Sequence, residues 1–187
     1  MIEHVRQALL GGARIIQYRD KTSPMPQQVD IARQLKALCV DHQAWFIIND
    51  SIELALACQA DGLHIGKEDA ALPKAREQLG SDAIIGVSCY NDLERAKQMQ
   101  TQGADYVAFG RFFPSQTKPN APSAELDTLR QAKQHLQIPI VAIGGVKSDN
   151  AHQLIQAGAD SVAVIQGVFA QANIRQAATD ITALFKV

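Results

Sequence analysis

The sequence predicts an α/β fold, a (β/α)8 TIM barrel of one domain over residues 1–187 that lacks its first strand. Three observations lead there. Short apolar runs alternate with amphipathic stretches from end to end. Most of those runs are continuous rather than alternating, as expected of strands covered on both faces. A small motif recurs on every second run, the regularity of repeated βα pairs.

The strand candidates, in order, are ARIIQYR (13–19), WFIIND (45–50), GLHIG (62–66), AIIGVSC (83–89), YVAFG (106–110), IPIVAIGG (138–145) and SVAVIQG (161–167). Helical patterns fill the gaps. A helix beginning at Asn91 has Glu94 three residues on, a start resembling a capping box, and ends near Gly103. Asp149 or Ser148 caps the helix through Leu154 and Ile155. Pro73 and Pro139 fall at element starts, where a missing N–H is harmless. In the last helix Ile174, Ala177, Ala178, Ile181, Leu184 and Phe185 form one apolar stripe.

The repeat is Gly12-Ala13-Arg14-Ile15, Ala60-Asp61-Gly62-Leu63, Gly103-Ala104-Asp105-Tyr106 and Gly158-Ala159-Asp160-Ser161. Each copy closes a helix and opens a strand, with glycine expected in the left-handed C-cap position. A doubly wound sheet would need a reversal of strand order that this regularity does not contain.

Eight helices and seven strands leave the count one strand short, because Met1 enters directly into a helix. The two outer strands would then present open edges, a poor state for a buried parallel sheet. About 15–25 upstream residues, a strand with its flanks, are therefore expected. The mass of the native protein tests this, since a value matching residues 1–187 would count against it.

Composition narrows the function classes. A net charge of −1 argues against a nucleic-acid binder, which would show a basic face. No apolar run approaches the roughly 20 residues that span a bilayer, and MIEHVRQALLGG is not a signal peptide. Cys39, Cys58 and Cys89 are odd in number and widely spaced, as reduced thiols in a cytoplasmic protein are. Cys89 has no flanking histidine or cation to activate it and reads as a small semi-buried residue. Small molecules are the expected partners, and self-association into a homo-oligomer is left open.

Candidate functional residues collect where barrels place their sites, at the C-terminal strand ends. Gln17, Arg19 and Lys21 alternate and so share one face. Asn49 and Asp50 end the next run, Asp69 follows GLHIG, and Ser88 ends the fourth. The loop GRFFPSQTKPNAP brings Ser115, Thr117 and Lys118, and its segment from Pro114 to Pro122 is expected to close over the site. Gly144-Gly145 and Ile165-Gln166-Gly167 lie at the ends where barrels often hold phosphate through backbone N–H groups. Two carboxylates, Asp50 and Asp69, on one rim suit oxygen-liganded Mg²⁺ completed by a phosphate. Plainer readings stand beside these: a solvated cluster at Arg19-Asp20-Lys21, a turn and cap at Asn49-Asp50, a tight turn at the glycines. His64 reads as a satisfied structural histidine, and Phe112 and Phe113 as anchors of their loop.

QYRDK, IND-S-x-E-L-A, ADGLHIGKED, GVS, FPSQTK, IPIVAIGGV and GADSVAV, in this order along nearly the whole chain, resemble thiamine phosphate synthase. The resemblance implies a (β/α)8 barrel with a strand before the first helix. It also implies that 4-amino-2-methyl-5-(diphosphooxymethyl)pyrimidine loses pyrophosphate, leaving a pyrimidine-methyl cation captured by the ring nitrogen of a thiazole phosphate. Carried over by position, Gln17, Arg19, Lys21, Asn49 and Lys118 would bind the pyrimidine diphosphate, with Tyr18 and Asp20 in the same substrate-binding run. Asp50 and Asp69 would hold Mg²⁺, and Ser88 would contact the pyrophosphate. Ser115, Gln116 and Thr117 would line the thiazole phosphate pocket, with Gly145, Ile165 and Gln166 holding its phosphate. Ser88, Lys118 and Arg19 would be the catalytic residues. The chain departs from the family at Ser115, commonly threonine, and at Gln166, usually serine. Two rival readings are a thiazole tautomerase, which would need a proton-transferring residue at the rim, and a non-catalytic phosphate-binding barrel. His4, His42, His135 and His152 all fall in predicted helices.

Overall fold

The computed structural model describes residues 1–66, 72–114 and 123–185. Its strands are β1 (Ile15–Tyr18), β2 (Trp45–Asn49), β3 (Gly62–Ile65), β4 (Ile84–Tyr90), β5 (Tyr106–Phe109), β6 (Ile140–Ile143) and β7 (Ser161–Ala163). All are parallel, and each pairs with its successor, in the order β1-β2-β3-β4-β5-β6-β7. Order without reversal is the barrel arrangement, as the repeat predicts. Among the described residues β1 and β7 pair on one side only, so the strand that an eightfold barrel puts before its first helix is not among them.

The helices are α1 (Ile2–Leu10), α2 (Met25–Asp41), α3 (Ile52–Cys58), α4 (Leu72–Leu79), α5 (Leu93–Thr101), α6 (Leu126–His135), α7 (Ala151–Gln156), α8 (Gln166–Phe169) and α9 (Ile174–Ala183). The one-turn α8 is the helix beyond the eight expected. The helix layer closes where the sheet does not: α1 packs on both α2 and α9. A Cβ on Gly11 would collide with Ala178, so this closure needs a glycine. No helix among the described residues is long and apolar enough to cross a membrane.

The main core lies between sheet and helices. Phe46, Ile48, Leu63, Ile65, Ile85, Val87, Val107, Phe109, Ile140 and Ala142 point one way from the strands, onto Leu35, Leu54, Ala75, Ala96, Leu129 and Leu154 of the helices. The strands are less uniformly covered than their continuous apolar runs predict. β3 is buried throughout, whereas β1 alternates and leaves Ile15 44% exposed on its inner face, beside the open edge.

Several local expectations are refined. The α5 cap is Asp92, whose carboxylate accepts from Arg95 N; Asn91 instead accepts from Glu125 N and the Thr128 hydroxyl of the next unit. Asn150, rather than Asp149 or Ser148, precedes α7. Gly12, Gly103 and Gly158 take positive φ as the repeat predicts, but in the second copy Gln59 does so. Gly62 there lies inside β3, where a Cβ would strike the Ile84 carbonyl.

Candidate active site

The inner face of the sheet carries the polar residues, and the C-terminal strand ends gather them. Gln17 lies on the exposed inner face of β1. Arg19, just beyond it, is exposed and makes no ion pair among the described residues. Asp20 Oδ1 accepts from the N–H of Thr22 and Ser23 and from the Thr22 hydroxyl, and so shapes the turn that carries Lys21. Hydrogen bonds from Ser23 and Thr22 hold the Asp20 carboxyl far below the usual carboxylate range. Tyr18, by contrast, is 4% exposed within the core between sheet and helices and donates to Asp20 Oδ2 at 3.3 Å. Burial first, then the Asp20 charge, pushes the Tyr18 phenol up to about 12. In this structure Asp20 shapes the turn beyond β1, and Tyr18 lies beneath it in the core.

Lys21 Nζ lies 3.0 Å from Asp50 Oδ2, joining the ends of β1 and β2. Asp50 is held in the left-handed region at φ 67°, and its N–H donates to the His64 carbonyl of β3. A non-glycine residue there costs free energy, and such strain concentrates at functional positions. Capping of α3 falls to Ser51, whose hydroxyl accepts from Leu54 N, so Asp50 is not needed as a cap. Asn49 ends β2 opposite His64.

Ser88 lies on β4 just before a register irregularity, with its carbonyl accepting from Arg95 Nε at 3.0 Å. Its hydroxyl meets His64 Nε2 at 2.9 Å, and His64 Nδ1 meets the Tyr106 hydroxyl at 2.9 Å. His64 is 7% exposed and satisfied at both ring nitrogens, as a structural histidine should be, yet it sits against a candidate site residue. That adjacency is not visible from its own strand. The pattern that could have revealed it is polar inner-face residues, Gln17, His64, Ser88 and Tyr106, recurring across strands. Cys89, one residue on, faces the core, and burial pushes its thiol up to about 12, in keeping with an inert role.

The glycine turn after β6 is held from beneath. Phe112 N and Phe113 N donate to the carbonyls of Ile143 and Gly144, and Asn150 Nδ2 donates to that of Gly145. Gly145 has φ 65°, and a Cβ there would meet Phe113 and the Pro114 carbonyl. Phe112 and Phe113 pack on the core, anchoring this segment as expected. Gly167 fits so closely against the Val146 carbonyl that a Cβ would clash, which brings the start of α8, with Ile165 and Gln166, beside the glycine turn. Asp69, Ser115, Gln116, Thr117 and Lys118 lie outside the described residues.

A family model described as thiamine monophosphate synthase matches residues 1–168. The chain belongs to that family. The thiamine-phosphate synthase of Alcanivorax borkumensis is 52% identical over 182 residues, covering 96% of this chain and 84% of that protein. That of Thioalkalivibrio sulfidiphilus is 49% identical over 179 residues, covering 96% and 85%. Among solved structures, a thiamine phosphate pyrophosphorylase from Pyrococcus furiosus superposes with TM-score 0.92 at 36% identity, covering 99% of this chain and 89% of that one. As a family member, this chain is an enzyme of thiamine biosynthesis, a transferase acting as a thiamine-phosphate synthase.

Among the described residues no group of three or more His, Cys, Asp or Glu could hold a metal ion. Mg²⁺ does not require one, since one or two carboxylates plus substrate phosphates are its usual protein-side complement. The partly exposed Asp50 carboxylate at the rim, a hard oxygen donor, fits that requirement.

Proposed function

We propose that this rim carries out the Mg²⁺-dependent condensation of 4-amino-2-methyl-5-(diphosphooxymethyl)pyrimidine with a thiazole phosphate, through a pyrimidine-methyl cation. The observation that carries the reading is the Lys21–Asp50 pair bridging two strand ends, with Arg19 alongside and Ser88 on β4. The bond between the pyrimidine methylene and the diphosphate oxygen breaks, and its electron pair leaves with pyrophosphate. The lone pair of the thiazole nitrogen then forms the new C–N bond. Neither a nucleophilic side chain nor a strong base is required.

The barrier lies in separating charge, so preorganised donors and cations aimed at the departing oxygens lower it. Arg19, Lys21 and Lys118 supply the positive charge, Asn49 and Ser88 the neutral donors, and Gln17 a hydrogen-bonding edge for the pyrimidine. Mg²⁺, held by Asp50 and Asp69, would neutralise the growing charge of the pyrophosphate when bound. Ser115, Gln116 and Thr117, with Gly145, Ile165 and Gln166, would receive the thiazole phosphate. The three buried, unbridged cysteines support a reducing, cytoplasmic setting.

Incubation with both substrates and Mg²⁺ tests this, reading pyrophosphate and thiamine phosphate together. Equal yields of the two are expected. Isomerisation of a thiazole without pyrophosphate release would indicate a tautomerase, and binding without turnover a phosphate-binding barrel.

A further inference from the structure

His64, Gly86 and Tyr106 are register partners in one row across β3, β4 and β5. The middle member has no side chain, and a Cβ on it would fall inside the Tyr106 ring. The outer two therefore meet over the glycine, with ring centroids 5.6 Å apart at 28°. Ser88, two residues beyond Gly86 and so on the same face, is one layer nearer the rim. Its hydroxyl completes the chain Tyr106 OH, His64 Nδ1, His64 Nε2, Ser88 Oγ.

We infer that this chain runs in one direction, from Tyr106 through His64, and thereby fixes Ser88 as a hydrogen-bond donor toward the rim. Tyr106 and His64 are then positioning residues for that hydroxyl. The inference rests on the proposed role of Ser88 at the departing pyrophosphate.

Counting protons supports the direction. A neutral imidazole has one N–H and one acceptor nitrogen, so it cannot donate to both partners or accept from both. If Tyr106 donates to Nδ1, the ring proton sits on Nε2 and points at Ser88 Oγ, leaving the serine O–H for the rim. In the opposite direction the serine proton would be turned inward to Nε2. A phenol is the more acidic hydroxyl and the better donor to an imidazole nitrogen. Burial pushes the Tyr106 phenol well above its ordinary value, so it keeps its proton. An imidazolium would also donate from Nε2, so Ser88 accepts in either state. Aligned hydrogen bonds polarise one another, which makes the outermost O–H a stronger donor to growing phosphate charge. The backbone of Ser88 is held as well, through Arg95 at its carbonyl.

The tautomer can be read directly by ¹⁵N NMR of His64 in the wild-type protein, at a pH where the ring carries one proton. Protonated Nε2 and bare Nδ1 are expected; the reverse pattern overturns the inference. This readout stands even if wild-type protein releases no pyrophosphate, an outcome that would remove the proposed reaction but not the chain. Kinetics then give a second arm. Tyr106→Phe should lower kcat by about 10–100-fold, by analogy with the loss of a partner that orients a metal ligand, with little change in KM. In a Ser88→Ala background the same change should cost nothing further, because it acts through that hydroxyl. Full additivity of the two losses, or unchanged kcat in Tyr106→Phe, would overturn the assignment.

Discussion

The two rims of the barrel use charge in opposite ways. At the N-terminal rim the repeat's aspartates are neutralised within the fold. Asp61 accepts from Phe46 N at 2.7 Å and pairs with Lys36 at 2.6 Å; Asp105 accepts from Ile85 N and pairs with Arg76. Asp160 accepts from Ile140 N and pairs with Lys133. In each case the aspartate N–H returns a bond to the carbonyl of the same partner residue, clamping the start of the preceding strand. The first copy has Arg14, which cannot accept an N–H, and it leads into β1, which has no preceding strand among the described residues. At the C-terminal rim cations and a carboxylate lie together with strained backbone: Arg19 makes no ion pair among the described residues, Asp50 and Tyr90 have positive φ, and a glycine pair turns the chain. Charges that are hydrogen-bonded twice hold the strands in place, whereas charges kept accessible can meet a ligand.

That contrast can be broken at either end. The largest effects are expected from the residues proposed to meet the diphosphate: Arg19→Ala and Lys118→Ala should each lower turnover about 10²–10³-fold. Tm should stay near wild type, and near-wild-type turnover in both variants would refute the assignment of this rim. At the other rim, Asp160→Ala should lose about 1–3 kcal/mol of stability, because it orphans the Ile140 N–H. Urea unfolding would show it, with turnover per folded molecule retained. Ser51→Ala sharpens the comparison, since it sits beside Asp50 yet plays a capping role: about 1 kcal/mol of stability should go, with far less loss of turnover than at Arg19.

The smallest effect belongs to the core. Burial pushes the Cys39 thiol up to about 11 and the Cys89 thiol up to about 12, from an ordinary 9.0. The unfolded chain then releases these protons first as pH rises. The stability these thiols contribute is complete below pH 9 and is lost progressively toward 11 and 12. Tm measured across that window should fall, and Cys89→Ala should flatten the fall.

Much of the rim was legible in the chain because period two and strand ends are local properties. Gln17, Arg19 and Lys21 alternate, Asn49 and Asp50 end an apolar run, and the structure puts Lys21 against Asp50 as a shared rim requires. Tyr18 and Asp20 belong to the same run QYRDK, and the alternation places the Tyr18 ring on the opposite face, in the core. Asn91 has the chemistry of a cap but is used 34 and 37 residues away, at Glu125 and Thr128, because Asp92 reaches the N–H of Arg95.

By itself the sequence determined the glycine turns after the helices, the aspartates of the repeat and the strand-end positions of Gln17, Arg19, Lys21, Asn49 and Asp50. Each follows from hydrogen bonding and side-chain direction over a few neighbouring residues. Only the tertiary structure decided that Tyr106, His64 and Ser88 form one chain. Their contacts join strands 42 and 24 residues apart, and they depend on inter-strand register and on the space above Gly86, neither of which a single strand specifies.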